Sequence, residues 1–158
     1  MAVDFYLKLD GIEGEAVAKG FENQIQLLSF SWGGTQRTSV AGTGGSGAGK
    51  VDLSDLSIMK NMDKATAPIF KALISGTHVK TGTLSATKSG AAGKPFLKLT
   101  FEELFVTSQQ VSASSEIPSE SVSFSYNKIK EEYSTQNEQG VLTATGAVTY
   151  NLKENVVS

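Results

Sequence analysis

The chain has 158 residues, of which 39% are hydrophobic, a formal net charge of -2 and no cysteine. This length predicts one soluble globular domain, spanning 1–158, that is large enough to bury its own core. The lack of cysteine excludes disulfides, a thiol nucleophile and a thiolate metal site. The negative net charge and the presence of a single arginine, Arg37, argue against nucleic-acid binding, which depends on neutralising phosphates.

We expect the first residues of the sequence not to act as a targeting signal. The N-terminus "MAVDFYLKLDG" has Asp4 where a signal peptide carries basic residues. No apolar run approaches the ~20 residues that a membrane-spanning helix needs. We therefore expect no membrane insertion, a start in the cytoplasm, and export only by a route that needs no signal peptide.

Alternation of apolar and polar residues predicts strands from the start of the chain. In "VDFYLKL" the apolar positions Val3, Phe5, Leu7 and Leu9 alternate with polar ones. In "IQLLSFSWGG" the inward positions are Leu28, Phe30 and Trp32, while Ser29 and Ser31 point the other way. Ile25 and Leu27 fall in the opposite phase, so we expect a bulge near Leu27.

A glycine loop follows, in "VAGTGGSGAGKVDLSDL", where Gly44, Gly49 and Lys50 have the spacing of a phosphate-binding loop. Two features argue against nucleotide binding. Val51 stands where the magnesium-binding hydroxyl should be, and "VDLSDLSIM" has the period of a strand rather than that of the required helix. A glycine loop between two strands is the simpler interpretation.

One segment has helical periodicity: residues 63 to 76, "DKATAPIFKALISG". Thr66 is the expected N-cap, Pro68 lies in the first turn and Gly76 ends the helix. Ile69 with Leu73, and Phe70 with Ile74, recur at helical spacing.

Further strands are predicted downstream, and no internal repeat is found. "FLKLTFEELFV" has a phase slip at Glu102 and Glu103, and two more strands are "SVSFSYNKI" and "AVTYNL". The expected inward positions are Leu97, Leu99, Phe101, Leu104, Val106, Val122, Phe124, Tyr126, Val148, Tyr150 and Leu152. Six to eight strands in all predict a mainly β fold, an antiparallel β-barrel or sandwich with one short flanking α-helix.

No residue pattern indicates an enzyme or a cofactor. The single histidine, His78, is more often a cap or surface residue in such a turn than a catalytic base, and Ser46 lacks the flanking pattern of a nucleophile elbow. Adjacent acids on a strand face opposite sides, which separates Glu102 from Glu103 and Glu131 from Glu132. Asp52 and Asp55 lack further ligands, so we expect no metal.

Several predicted strands have small, uncharged outer faces. These are built from Ser29, Ser31, Ser123, Ser125, Thr143, Thr145 and Thr149. Exposed strands usually carry lysine or glutamate, which discourage edge pairing. Two interpretations stay open: a plain soluble β-protein with small surface residues, or strand faces covered by a neighbouring subunit or lining a wet cavity.

The chain resembles a known family, the Hcp (hemolysin-coregulated protein) tube subunits of type VI secretion. The resemblance is carried by "MAVDFYLKLDGIEGE", "IQLLSFSWGG", "GAGKVDLSDLSIMKNMDKAT", "SGTHV", "LSATKSG", "LTFEELFVTS" and "YNLKENV". It covers most of the chain, except residues 15–23 and 109–120.

The resemblance implies a hexameric ring, stacking of rings into a hollow tube, expulsion by a contractile sheath, and effector binding in the lumen. Its implied partners are further copies of the chain, sheath, spike and baseplate proteins, and secreted effectors. Ser31 and Ser29 are the expected lumen-facing residues. The expected ring assembly or stacking loop consists of Gly42, Thr43, Gly44, Gly45, Ser46, Gly47, Ala48, Gly49 and Lys50.

Two alternatives remain at this point. A phage-type tail tube subunit would share the fold and the ring. A monomeric enzyme or ligand-binding β-domain would be expected only if the glycine loop or His78 formed a site, and a ligand would then raise the melting temperature.

Overall fold

A computed structural model describes residues 2–38, 48–88 and 94–158. In these parts the chain forms twelve strands and one helix, so the mainly β prediction is confirmed although the strands are more numerous than expected. The elements are β1 (Val3–Leu9), β2 (Ile25–Leu27), β3 (Ser29–Ser31), β4 (Gly34–Thr38), β5 (Ala48–Leu53), β6 (Leu56–Asn61), α1 (Thr66–Ser75), β7 (Val79–Lys88), β8 (Leu97–Ser112), β9 (Ser119–Ser125), β10 (Lys128–Gln136), β11 (Leu142–Asn151) and β12 (Val156–Val157).

The strands form two antiparallel sheets that share the long strand β8. The first sheet has the order β12-β11-β10-β8-β7-β1-β2 and uses β8 up to Leu104. The second has the order β3-β6-β9-β8 and uses β8 from Phe105 onward. Between them lies one apolar core, so the described residues form a sandwich whose sheets do not close into a barrel. The β4–β5 hairpin is a separate two-stranded sheet.

The predicted inward positions of the central strands are confirmed. Leu99, Phe101 and Leu104 are fully buried, and the change of phase falls at Glu103, whose backbone has a positive φ of 53°. On β9, Val122 and Phe124 are also fully buried. Alternation identifies these side chains because one face of each strand packs on the core.

Three residues that alternation placed on an apolar face are exposed: Leu28, Val148 and Val3, the last of these at 36%. Leu28 is 55% exposed: the bulge expected near Leu27 is instead a break, where the chain leaves the first sheet after β2 and enters the second with β3. Val148 is 58% exposed. It pairs with Glu131, which pairs with the buried Leu99, so Val148 points to the core side of the sheet but beyond the edge of the core.

The predicted helix is present as α1. Gly76 ends it in the left-handed conformation, at a φ of 66°, which a residue without Cβ adopts at no cost. The predicted N-cap is wrong, because Ala65 occupies that position without a side-chain bond. The Thr66 hydroxyl lies inside the first turn, where it accepts a bond from the Asp63 N–H (3.1 Å) and donates to Glu120 Oε1 (3.0 Å). No helix in the described residues is long and apolar enough to cross a membrane.

A buried polar cluster fixes the start of α1 against the second sheet. Lys60 on β6 and Glu120 on β9 are fully buried and form an ion pair. Lys60 Nζ also lies 2.8 Å from Asp63 Oδ1, and Gln109 Nε2 donates to Glu120 Oε2 (2.9 Å) and to the carbonyl of Thr66 (3.2 Å). The buried charges therefore have several partners, as burial requires. Sequence reasoning missed this cluster, since its members lie far apart along the chain.

Candidate functional site: a serine-covered sheet face

The outer face of the second sheet is the candidate site, and we call it the serine face. On β3, Ser29 and Ser31 are exposed, as predicted from their alternation with Phe30. On β6, Ser57 and Met59 alternate with the buried Leu56 and Ile58. The period of two therefore gives this sheet a largely apolar side, toward the core, and an outer side that carries mainly serine together with Met59.

Strand register aligns serines from all four strands. One row runs Ser31, Ser57, Ser123, Ser108 across β3, β6, β9 and β8. The next row runs Ser29, Met59, Ser121, Gln110. Within the first row, the Ser57 and Ser123 hydroxyl oxygens lie 3.2 Å apart. Ser125 pairs with Phe105 at one end of the face, and Ser119 pairs with Asn61 and Ser112 at the other.

The small polar residues that the sequence analysis treated as one group lie on two different sheets in the structure. Ser29 and Ser31 share one face with Ser123 and Ser125. The β11 residues, Thr143, Thr145 and Thr149, lie in the other sheet. Sequence reasoning missed Ser57, Ser108, Ser121 and Met59, although the alternation in "LSIMK" was a usable signal for β6.

The chemistry of the serine face is hydrogen bonding without charge. Each hydroxyl can donate and accept, so the face can contact many polar surfaces without selecting one of them. Neither row includes an ionisable side chain. In the described part of the chain, no three histidine, aspartate or glutamate side chains are placed to hold a metal ion. The arrangement is suited to contact with water or a protein surface.

The predicted assembly loop is described only at its end. Residues 42 to 47, that is Gly42, Thr43, Gly44, Gly45, Ser46 and Gly47, lie outside the described residues. Ala48, Gly49 and Lys50 belong to strand β5, which continues to Leu53. These three residues therefore begin a strand, whereas a phosphate-binding loop needs a helix N-terminus at this position. This supports the argument against a P-loop.

Ser54 holds the base of the β4–β5 hairpin. Its N–H and its hydroxyl both donate to the carbonyl of Gly33, at 2.8 and 2.9 Å. The carbonyl of Ser54 accepts a bond from the hydroxyl of Tyr126 (2.9 Å), whose ring packs edge-on against Phe101 at 4.8 Å. A core tyrosine thus ties the hairpin to the end of the second sheet.

The pKa of the Tyr126 hydroxyl lies above that of an ordinary tyrosine. Burial, and secondarily the charge of Asp55, raises the pKa of Tyr126 to about 12. The ordinary tyrosine pKa is about 10. Because the folded state favours the neutral phenol, this stabilisation is present below pH ~10 and is lost as the pH rises through ~12. We expect tyrosinate absorbance to show a phase near pH 12 that is absent in Y126F. We also expect the wild-type protein to unfold at lower urea concentrations as the pH rises from 10 to 12. A titration unchanged in Y126F would contradict the assignment.

The remaining candidate residues lie apart from the serine rows. His78 is exposed, and its ring is tilted against Phe105 at 5.8 Å. Glu102 pairs with Lys128 (3.2 Å) and Glu103 accepts from Asn127 (2.5 Å), so the two adjacent acids have separate partners. Asp55 Oδ2 accepts from the Thr107 hydroxyl (2.8 Å). We therefore assign these side chains a role in holding the fold together.

Comparison with known proteins identifies relatives along the whole chain. Residues 6–133 match the family described as "Type VI secretion system effector, Hcp". The chain is 33% identical over 161 residues to Protein hcp1 of Pseudomonas aeruginosa strain PAO1, with 99% of both chains covered.

Solved structures agree with these sequence matches. A structure described as a type six secretion system protein superposes with a TM-score of 0.92 at 28% identity, covering 99% of this chain and 100% of that one. Hcp1 from Salmonella typhimurium superposes with a TM-score of 0.80 at 31% identity, with both chains fully covered. Fold and sequence therefore point to the same relatives.

Proposed function

Because the chain belongs to the Hcp family of type VI secretion, we propose that it is a structural subunit of the inner tube and has no enzymatic role. Residues 1–158 act as one tube domain. Copies close into a hexameric ring, rings stack into a hollow tube, and the serine face lines the lumen. The observation that carries the proposal is a sheet whose outer face has aligned rows of serine without a charged side chain, and which has an unpaired edge on each side in the described residues.

The two free edges are β3 and the second half of β8. In the described residues, β3 pairs only with β6, and β8 from Phe105 to Ser112 pairs only with β9. An unpaired strand edge can pair with another chain, and these edges carry serine rather than the charges or proline that would block pairing. Head-to-tail pairing of different edges on identical copies produces a ring when the rotation closes.

A ring formed this way would join the serine faces of neighbouring copies into one continuous inner wall. A net contribution of about 0.5–1.5 kcal/mol per hydrogen bond suits a wall that retains cargo and still releases it. By family membership, the partners of such a tube are secreted effectors inside and sheath, spike and baseplate proteins outside. Assembly would take place in the cytoplasm, before expulsion through the type VI apparatus.

Native mass tests the ring directly. Light scattering should give six times the 16.7 kDa of the chain, and negative-stain imaging of the same peak should show annular particles with a central hole. A strict monomer at high protein concentration would overturn the proposal, because the serine face would then be an ordinary surface.

Ser31 should contribute to cargo retention rather than to the fold. In S31Q, we expect intact rings, because the side chain is exposed and makes no core contact, and several-fold less cargo protein co-purifying with them. The longer side chain narrows the lumen and changes the pattern of hydroxyls that cargo meets. T143Q, on an exposed position of the other sheet, is the matched control and should retain cargo normally. Loss of the ring in S31Q would count against the lumenal placement.

A further inference from the structure

The helix α1 has two apolar sides, and among the described residues one of them packs on the core while the other is more than half exposed. Ile69 is fully buried, and Ala72 and Leu73 also pack on the core. Phe70 and Ile74, one turn apart on another side, are 53% and 68% exposed. A surface helix normally carries polar residues there. We call Phe70 and Ile74 the helix ridge.

A concave apolar surface lies elsewhere on the subunit, between the hairpin base and the last strands. This C-terminal cleft has a volume of about 600 Å³ and is lined mainly by Trp32, Leu53, Val148, Tyr150 and Val157. Val148 and Val157 are 58% and 70% exposed. The cleft continues the core-facing side of the first sheet, so it is apolar for the same reason as the core.

The ridge and the cleft flank opposite edges of the serine-faced sheet. The Gln109 bond to the carbonyl of Thr66 and the contact of His78 with Phe105 place α1 beside the β8 edge. Trp32 directly follows β3 and places the cleft beside the other edge. Pairing β8 of one copy with β3 of the next would therefore bring ridge and cleft to the same interface.

We propose that the helix ridge of each copy inserts into the C-terminal cleft of the next copy. Charge supports this pairing: Lys71 lies three residues before Ile74 on the helix, and Glu131 lines the cleft directly opposite Val148. With Ile74 against Val148, Lys71 faces Glu131. The contact joins different surfaces of identical chains, so it repeats from copy to copy around a closed ring. The inference rests on the proposed ring and names the side-chain contact that holds it together.

Disulfide trapping tests the contact, since the chain contains no cysteine of its own. After mild oxidation, I74C/V148C should form covalent dimers and higher species up to a closed ring. The single variants and the control I74C/V17C should give at least tenfold less product, because Val17 is 90% exposed and belongs to neither the ridge nor the cleft.

Light scattering of the reduced proteins separates the two levels of the proposal. Oligomers of native mass without cross-linking above the I74C/V17C control would overturn the ridge-in-cleft contact and leave the ring standing. A monomeric native mass would overturn both.

Charge reversal gives a second test that does not alter the apolar surfaces. In the I74C/V148C background, K71E and E131K should each slow cross-linking about tenfold, because each places like charges opposite one another. The double reversal should restore the rate. Slow cross-linking in the double reversal would overturn the pairing of Lys71 with Glu131.

Discussion

Replacing Glu120 by glutamine is expected to lower the free energy of unfolding by about 3–5 kcal/mol, which is the usual cost of removing one member of a buried ion pair. Lys60 and Glu120 are both fully buried, so E120Q removes the buried carboxylate and leaves the Lys60 ammonium group with Asp63, 2.8 Å away, as its acidic partner. Urea unfolding at a fixed protein concentration measures the change.

Two controls show whether burial causes the effect. E102Q removes a surface partner of Lys128, where both side chains are more than 40% exposed, and should cost about 0–1 kcal/mol. The double variant K60M/E120L removes both buried charges and should recover much of the stability lost in E120Q. An E120Q protein as stable as E102Q would show that the cluster does not hold α1 in place.

The cluster also bears on assembly. Thr66, the first residue of α1, bonds Glu120, and Gln109 connects both of them to β8. The helix therefore keeps its position beside the β8 edge through these bonds. If the helix ridge forms part of the ring interface, E120Q should weaken ring formation as well as the fold of the subunit.

Deletion of residues 42–48 is expected to abolish tube formation and leave the subunit folded. In the described residues, β4 and β5 pair only with each other, so neither strand belongs to either main sheet. A two-stranded hairpin of this kind is marginal in isolation and gains stability when a neighbour covers it. Light scattering and negative-stain imaging would show the loss of stacked rings, and thermal melting would show an unchanged fold.

A matched deletion controls for the effect of shortening a loop. Removing Ser114 and Ser115, exposed residues in the turn between β8 and β9, should leave both melting temperature and assembly unchanged. Normal tubes in the 42–48 deletion would show that this loop has no role in stacking or ring closure.

The fold class could be predicted from periodicity because most strands are half-buried. Leu99, Phe101, Val122 and Phe124 were assigned to the core by alternation alone, and all four are fully buried. Gly76 likewise marked the end of the helix correctly. Such assignments need only the local chain, since a strand or helix with one apolar side must bury that side.

Errors appeared where the outcome depends on a distant element. Leu28 has the period of a core residue, but the chain changes sheets there. Val148 points to the core side at a place where, in the described residues, the second sheet does not bury it. Thr66 has the composition of an N-cap, yet its hydroxyl is engaged by Glu120, 54 residues away. The buried pair of Lys60 and Glu120 left no local signal at all.

For this protein, sequence alone determined the mainly β class, the short helix, the absence of a P-loop context and the resemblance to a tube family. Each of these depends on neighbouring residues or on the order of short motifs along the chain. Only the tertiary structure decided which serines share a face, which strand edges are free and where the helix ridge and C-terminal cleft lie. Strand order and register bring together residues 31, 57, 108 and 123, and no periodicity within one segment encodes such long-range pairing.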